Sequence, residues 1–177
     1  MTTIHTIGHS THPIEEFIDL LGAQGITRLV DIRTVPKSRH NPQFWGDALA
    51  ESLQTAGIGY TYLKQLGGLR SASKDSPNTG WNNDSFRNYA DHMLSDEFAD
   101  GLTRLIDIAQ AEPSAIMCAE AVPWRCHRRL VADALLVRGF TVLEIISAAT
   151  PKEHRLTPFA VVDGTRITYP EQPEQSQ

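Results

Sequence analysis

The sequence predicts an α/β fold: a Rossmann-like three-layer α/β/α arrangement around a mostly parallel sheet of about five strands, with a C-terminal β-hairpin. Three observations carry this reading. Short apolar runs alternate with longer segments of helical spacing along most of the chain. The runs are brief and apolar, as strands covered on both faces require. Near the end, "FAVVDGTRITYP" (159–170) sets Asp-Gly between two β-rich runs, a hairpin signature.

Taken in order, "IHTIG" (4–8) reads as the first strand. "PIEEFIDLLGAQG" (13–25) places apolar residues at helical spacing, with Pro13 and two glutamates at its start and glycines to stop it. "TRLVDIR" (27–33) is the second strand, 41–58 a second helix ending at Gly57, and "GYTYL" (59–63) the third strand. A glycine- and serine-rich stretch (67–84) is longer than an ordinary connection, so it reads as a lid or binding segment. Helical sequence over 85–111 breaks near Ser95. "SAIMC" (114–118) is the fourth strand, 123–138 a helix stopped by Gly139, and "FTVLEII" (140–146) the fifth strand. The spacing predicts one domain over 1–170, with 171–177 a disordered tail.

At 177 residues, a chain buries roughly 70% of its unfolded surface on folding and needs no covalent staples. The net charge of −5 does not by itself recruit nucleic acid or an anionic membrane. Charge is uneven, however: 28–74 carries seven Lys/Arg against three acids, and 84–112 reverses the balance with seven acids against two arginines. Two cysteines are too few for a disulfide scaffold and fit a reducing compartment. No signal peptide is expected, no apolar run approaches the ~20 residues of a membrane span, and a cytoplasmic location is expected.

Ligands of open parallel sheets bind beyond the carboxyl ends of the strands. Those ends carry Gly8-His9-Ser10, then Asp31, Arg33, Ser38 and Arg39, then Gly67-Gly68, then Cys118 and Glu120. The densest stretch is "AIMCAEAVPWRCHRRLVADALL" (115–136). Here Arg125, Cys126, His127, Arg128 and Arg129 are expected in the first turns of a helix that begins at Pro123. A helix N-terminus attracts anions, and arginines placed there oppose the helix dipole unless an anion or a carboxylate intervenes. A phosphate is one partner; bracing by Glu120 or Asp31 is the other. Cys126 is expected as a half-buried thiol with a depressed pKa, whereas Cys118 reads as a small core hydrophobe. A metal set of Cys118, Glu120, Cys126 and His127 is a weaker alternative, because C-x7-C-H is not a standard zinc spacing. The strand–Cys–loop–helix order resembles phosphatase and sulfurtransferase loops, although Cys118 to Arg125 is C-x6-R rather than C-x5-R. Trp81 is the aromatic least easily assigned to the core and is expected to stack on a ligand.

The segments "TIGHS", "LVDIRTVPKSRHNPQF", "GIGYTYLKQLGGLR", "DSPNTGWNNDSFRNYADHM", "AIMCAEAVPWRCHRRLVADAL" and "TPFAVVDGTRITYP" together resemble the DUF488 family of bacterial and archaeal proteins, over roughly 4–170. That family has no agreed activity. The resemblance implies motif positions at Gly8, His9, Ser10, Asp31, Arg33, Pro36, Ser38, Gly67, Gly68, Cys118, Glu120, Pro123, Cys126, His127 and Arg128, the same set the strand ends give.

The leading functional expectation is an enzyme acting on a phosphate-bearing substrate, a nucleotide or nucleic-acid end. Arg33, Arg125 and Arg128 hold the anion, with Ser10, Ser38, Arg39, Gly67, Gly68 and Trp81 as further binding residues. His9 or His127 transfers protons, oriented by Glu120 or Asp31, and Cys126 acts in a thiol-dependent variant. The alternatives are a non-catalytic nucleic-acid or nucleotide-binding module and a metal-dependent activity. No cofactor is assigned.

Overall fold

The computed structural model describes residues 2–172. Its main sheet has six strands: β1 (Thr3–Gly8), β2 (Arg28–Asp31), β3 (Gly59–Tyr62), β4 (Ser114–Cys118), β5 (Thr141–Ile145) and β6 (Lys152–Glu153). Their order is β3-β2-β4-β1-β5-β6. The first five run parallel, and β6 joins β5 antiparallel. The sheet is thus one strand larger than the sequence predicts. A two-residue edge strand is too short to leave a period-2 pattern.

Five α-helices cover the sheet: α1 (Ile14–Ala23), α2 (Gly46–Thr55), α3 (Asp84–His92), α4 (Asp96–Ala111) and α5 (Arg128–Leu136). Alternate strand residues point to opposite layers. Leu29, Ala115, Met117 and Ile145 face Phe17 and Leu21 of α1 and Leu49 and Leu53 of α2. Val30, Ile116 and Val142 face Leu102 and Leu105 of α4 and Leu130 and Val131 of α5. The helical sequence over 85–111 does break at Ser95, whose hydroxyl accepts the Phe98 N–H at 3.2 Å and caps α4. Gly57 and Gly139 take φ of +78° and +90°, the left-handed turn that ends a helix before a strand.

Two expected helices start later than their sequence suggests. Pro42–Phe44 and Pro123–Arg125 are single 3-10 turns, and α2 and α5 begin at Gly46 and Arg128. Arg125, Cys126 and His127 therefore precede α5 instead of filling its first turns. Proline fits a first helical position but equally a tight turn, and the sequence pattern does not separate the two.

The C-terminal hairpin, β7 (Val161–Asp163) and β8 (Arg166–Thr168), forms a separate two-stranded sheet. Ile167 of β8 and Tyr169 just after it are buried in the core of the α3–α5 layer. Of the tail expected to be disordered, only Glu171 and Gln172 lie within the described residues. No helix among the described residues is long and apolar enough to cross a membrane.

Candidate functional site

β1 and β4 are neighbours, yet the chain leaves β1 toward β2 and leaves β4 toward β5. Their onward helices, α1 and α5, pack on opposite faces. This is the topological switch at which α/β sheets open a crevice. The segments beyond the two strands stay paired, His9 N–H to the Cys118 carbonyl and Ser10 N–H to that of Ala119, both 2.9 Å. Ser10 takes a positive φ of 46° to make this turn.

Beside this seam, between the ends of β2 and β4, lies a cavity of about 290 Å³. Arg33, Gly68, Glu120, Arg125, Cys126 and His127 line it, together with Cys118, Thr34 and Phe86. Residues from after β2, β3 and β4 thus meet at one wall.

Arg33 is 5% exposed and held from behind. Its Nε and Nη2 donate to the Asp31 carboxylate at 2.9 and 2.7 Å, and Nη1 lies 3.4 Å from His9 Nε2. Asp31 also accepts the Tyr60 hydroxyl at 2.6 Å. Three of the five guanidinium N–H groups are engaged, which leaves donors for an anion in the cavity. Asp31 therefore orients Arg33 and contacts no histidine. Tyr60 escaped the sequence reading because a tyrosine in a short strand carries no signal of a partner 29 residues away.

Both histidines are neutral at physiological pH. Burial pulls His9 down to about 4, with the Ser10 carbonyl opposing and Arg33 assisting. His9 donates from Nδ1 to the Ser10 carbonyl at 2.8 Å and stacks on Phe44. His9 stands behind Arg33, off the cavity wall. Burial likewise pulls His127 down to about 4, with the Ile32 carbonyl opposing. Its Nε2 donates to that carbonyl at 2.9 Å, which directs Nδ1 toward Cys126 Sγ, 3.5 Å away. The Glu120 side chain is exposed and makes no hydrogen bond to either histidine; its carbonyl is the group that counts.

That carbonyl, with the Ala121 carbonyl and the Cys118 sulfur, is bound by Arg128. This arginine is fully buried. Nη1 donates to Cys118 Sγ at 2.8 Å and to the Glu120 carbonyl, and Nη2 to the Ala121 carbonyl at 3.0 Å. Neither expected role, anion holder or partner of a carboxylate, matches this geometry. The guanidinium clamps the 118–121 backbone instead, because from the first position of α5 its side chain reaches back under the loop. Burial pulls its pKa down to about 10, with Glu144 and Glu120 opposing through space, so it stays charged at pH 7.

Cys118 and Cys126 are paired, their sulfurs in contact and their Cα atoms 7.2 Å apart. Cys118 is therefore more than the core hydrophobe its strand suggests. No group of three His, Cys, Asp or Glu side chains among the described residues is arranged to hold a metal ion.

The remaining expected binding residues lie elsewhere. The Ser38 carbonyl accepts the Trp45 indole N–H at 2.8 Å and its hydroxyl accepts from Asn41, so it closes a turn; Arg39 is exposed outside the cavity. Gly67 packs against Thr34, and Gly68 leaves room for the His127 ring. Trp81 is core after all: 7% exposed, edge-on to Phe86 and Phe159, with the Arg129 guanidinium 5.2 Å over its ring. The reason is the hairpin, whose approach to the 76–81 loop is invisible locally.

A family model described as "Domain of unknown function DUF488" matches residues 13–135. The chain belongs to the DUF488 family. The matched span runs from α1 almost to the end of α5 and takes in Asp31, Arg33, Cys118, Cys126 and Arg128, whereas Gly8, His9 and Ser10 precede it. No curated protein and no solved structure gives a significant match.

Proposed function

We propose that this DUF488 protein is a cysteine-dependent enzyme acting on a small anionic substrate in the cavity between the ends of β2 and β4. Cys118 is the nucleophile in the reduced protein, Arg128 its counter-charge, and Arg33 and Arg125 receive the phosphate or carboxylate of the substrate. One observation supports this above the others. A fully buried guanidinium, hydrogen-bonded to no carboxylate among the described residues, stands 2.8 Å from a sulfur in the cavity wall. A buried cation without a partner is costly, and a thiolate offsets that cost while becoming the reactive form of cysteine. Cys126, the thiol favoured by the sequence, lies 3.5 Å from the Arg128 backbone N–H and from the neutral His127 ring, with no charged hydrogen-bond partner among the described residues.

The test is the alkylation rate of reduced Cys118 by iodoacetamide as a function of pH. The expected midpoint lies at least about one unit below the ordinary cysteine value of ~8.5, and millimolar phosphate slows the reaction. An ordinary midpoint, unmoved in Arg128→Met, defeats the reading. A non-catalytic nucleic-acid module is less well supported, since Arg33 and Arg128 are buried and Arg128 is spent on protein carbonyls. Nucleic-acid binding that weakens steeply with salt would favour it instead.

A further inference from the structure

We infer that Cys118 and Cys126 form a thiol–disulfide exchange couple whose external partner is the disulfide of a small acidic thiol. This rests on the proposed nucleophilic role of Cys118 and adds the second thiol and the substrate class. Four features lead to it. The sulfurs are already in contact across the 119–125 loop, so a group attached to Cys118 is within reach of Cys126 without rearrangement of the sheet. Cys118 is fixed at the end of β4, whereas Cys126 sits in the irregular segment between a 3-10 turn and α5, where small backbone movement is easily accommodated. His127 Nδ1, an unprotonated ring nitrogen 3.5 Å from Cys126 Sγ, accepts from the second thiol and orients it. Finally, closing the disulfide removes the negative charge beside Arg128 and leaves that buried cation with only the more distant Glu144 and Glu120 charges. The reduced form is thereby favoured, and the disulfide is readily reopened by thiols.

The exchange balances as follows. The Cys118 thiolate attacks one sulfur of R–S–S–R, forming a Cys118–S–S–R bond while the R–S–S–R bond breaks and R–S⁻ leaves. Cys126 gives its proton to the R–S⁻ just released and attacks the Cys118 sulfur, forming the internal disulfide and releasing the second R–S⁻. The Cys126 proton and one from solvent convert both leaving groups to R–SH. The protein dithiol is oxidised by two electrons and the external disulfide is reduced to two thiols; excess R–SH drives the reverse. The acidic character of R comes from Arg33 and Arg125, which line the same cavity and bond a carboxylate more strongly than any neutral group.

The experiment follows the reduced full-length chain by intact mass after addition of glutathione disulfide, with 2-hydroxyethyl disulfide as the uncharged control. Wild type is expected to lose two hydrogens with no lasting adduct, and to regain them in reduced glutathione. Cys126→Ser is expected to accumulate a single glutathione adduct, and Cys118→Ser to form none. Glutathione disulfide is expected to react about tenfold faster than the neutral control, a ratio equivalent to one ordinary ionic contact, with Arg125→Ala erasing the preference. A stable glutathione adduct on wild-type Cys118 overturns the exchange couple but keeps the nucleophile. Equal rates with the two disulfides overturn the acidic substrate class. Failure of Cys118 to react with either disulfide or with iodoacetamide at neutral pH overturns the nucleophile itself. Wild type equilibrated in glutathione redox buffers gives the first readout without any variant, so misfolding of a serine mutant does not rescue the idea.

Discussion

The carbonyl oxygen of Glu120 lies where a β-carbon on Gly8 would stand, with Arg128 Nη1 a further contact at 2.8 Å. Backbone meets backbone here, so no side-chain rotation relieves the overlap. Gly8→Ala is expected to displace the 119–121 loop and to destabilise the protein by at least ~1–3 kcal/mol, the usual range for overpacking. It should also detach Arg128 from its carbonyls. Denaturant melts combined with the Cys118 alkylation rate check both effects; an unchanged stability and rate would show that the approach is not maintained in solution.

Arg128→Met keeps much of the side chain's volume but leaves the Glu120 and Ala121 carbonyls without their donor. An unsatisfied buried group costs ~1–3 kcal/mol; both carbonyls are only part-buried, so a combined loss of roughly 1–3 kcal/mol is expected, measured by chemical denaturation. Phosphate should not restore it, because the bonds lost are internal. Arg128→Lys should recover little, since one ammonium cannot reproduce a planar fork that reaches two carbonyls and a sulfur.

Stability is expected to fall on the alkaline side through His154. Its Nε2 lies 2.8 Å from Asp133 and its Nδ1 3.3 Å from Glu144. Burial alone would lower its pKa, but the hydrogen bonds to Asp133 and Glu144 carry it up to about 9. A folded value above the unfolded one stabilises fully below pH ~6.5, and that contribution is lost as pH rises through about 9. Thermal melts between pH ~7 and ~10 should decline in wild type and flatten in His154→Gln.

On the acid side the sign reverses. His9 and His127, both pulled down to about 4 by burial, stabilise fully above pH ~6.5 and lose that contribution as pH falls toward about 4. Melts of His9→Gln, which removes one of the two groups, should show a shallower acid limb than wild type.

The 67–84 stretch divides into two behaviours. Residues 71–75 are exposed. By contrast Asn78 is fully buried, donates to Asp91 at 2.7 Å and accepts the Tyr169 N–H at 2.8 Å, while Trp81 packs into the core. Amide exchange is expected to be fast over 71–75 and strongly protected at Asn78-bonded Tyr169 and at Trp81. Uniformly fast exchange across 70–83 would restore the lid expected from composition.

The sequence by itself determined the alternation of strands and helices, the capped break at Ser95, the hairpin at Asp163-Gly164 and the convergence of strand-end residues on one edge. All of these rest on periodicity, capping and turn chemistry, which act over a few residues. What only the tertiary structure decided is which of those residues face the cavity and with what partner. Trp81, Ser38 and Arg39 left the candidate set, Tyr60 and Thr34 entered its surroundings, and Arg128 turned from anion holder to backbone clamp. Cys118 and Cys126 show why. Eight positions apart, they meet because β4 stops at Cys118 while a 3-10 turn at Pro123 delays α5 until Arg128. That delay folds the loop back over its own strand, so that a buried guanidinium and two sulfurs share a space no local pattern specifies.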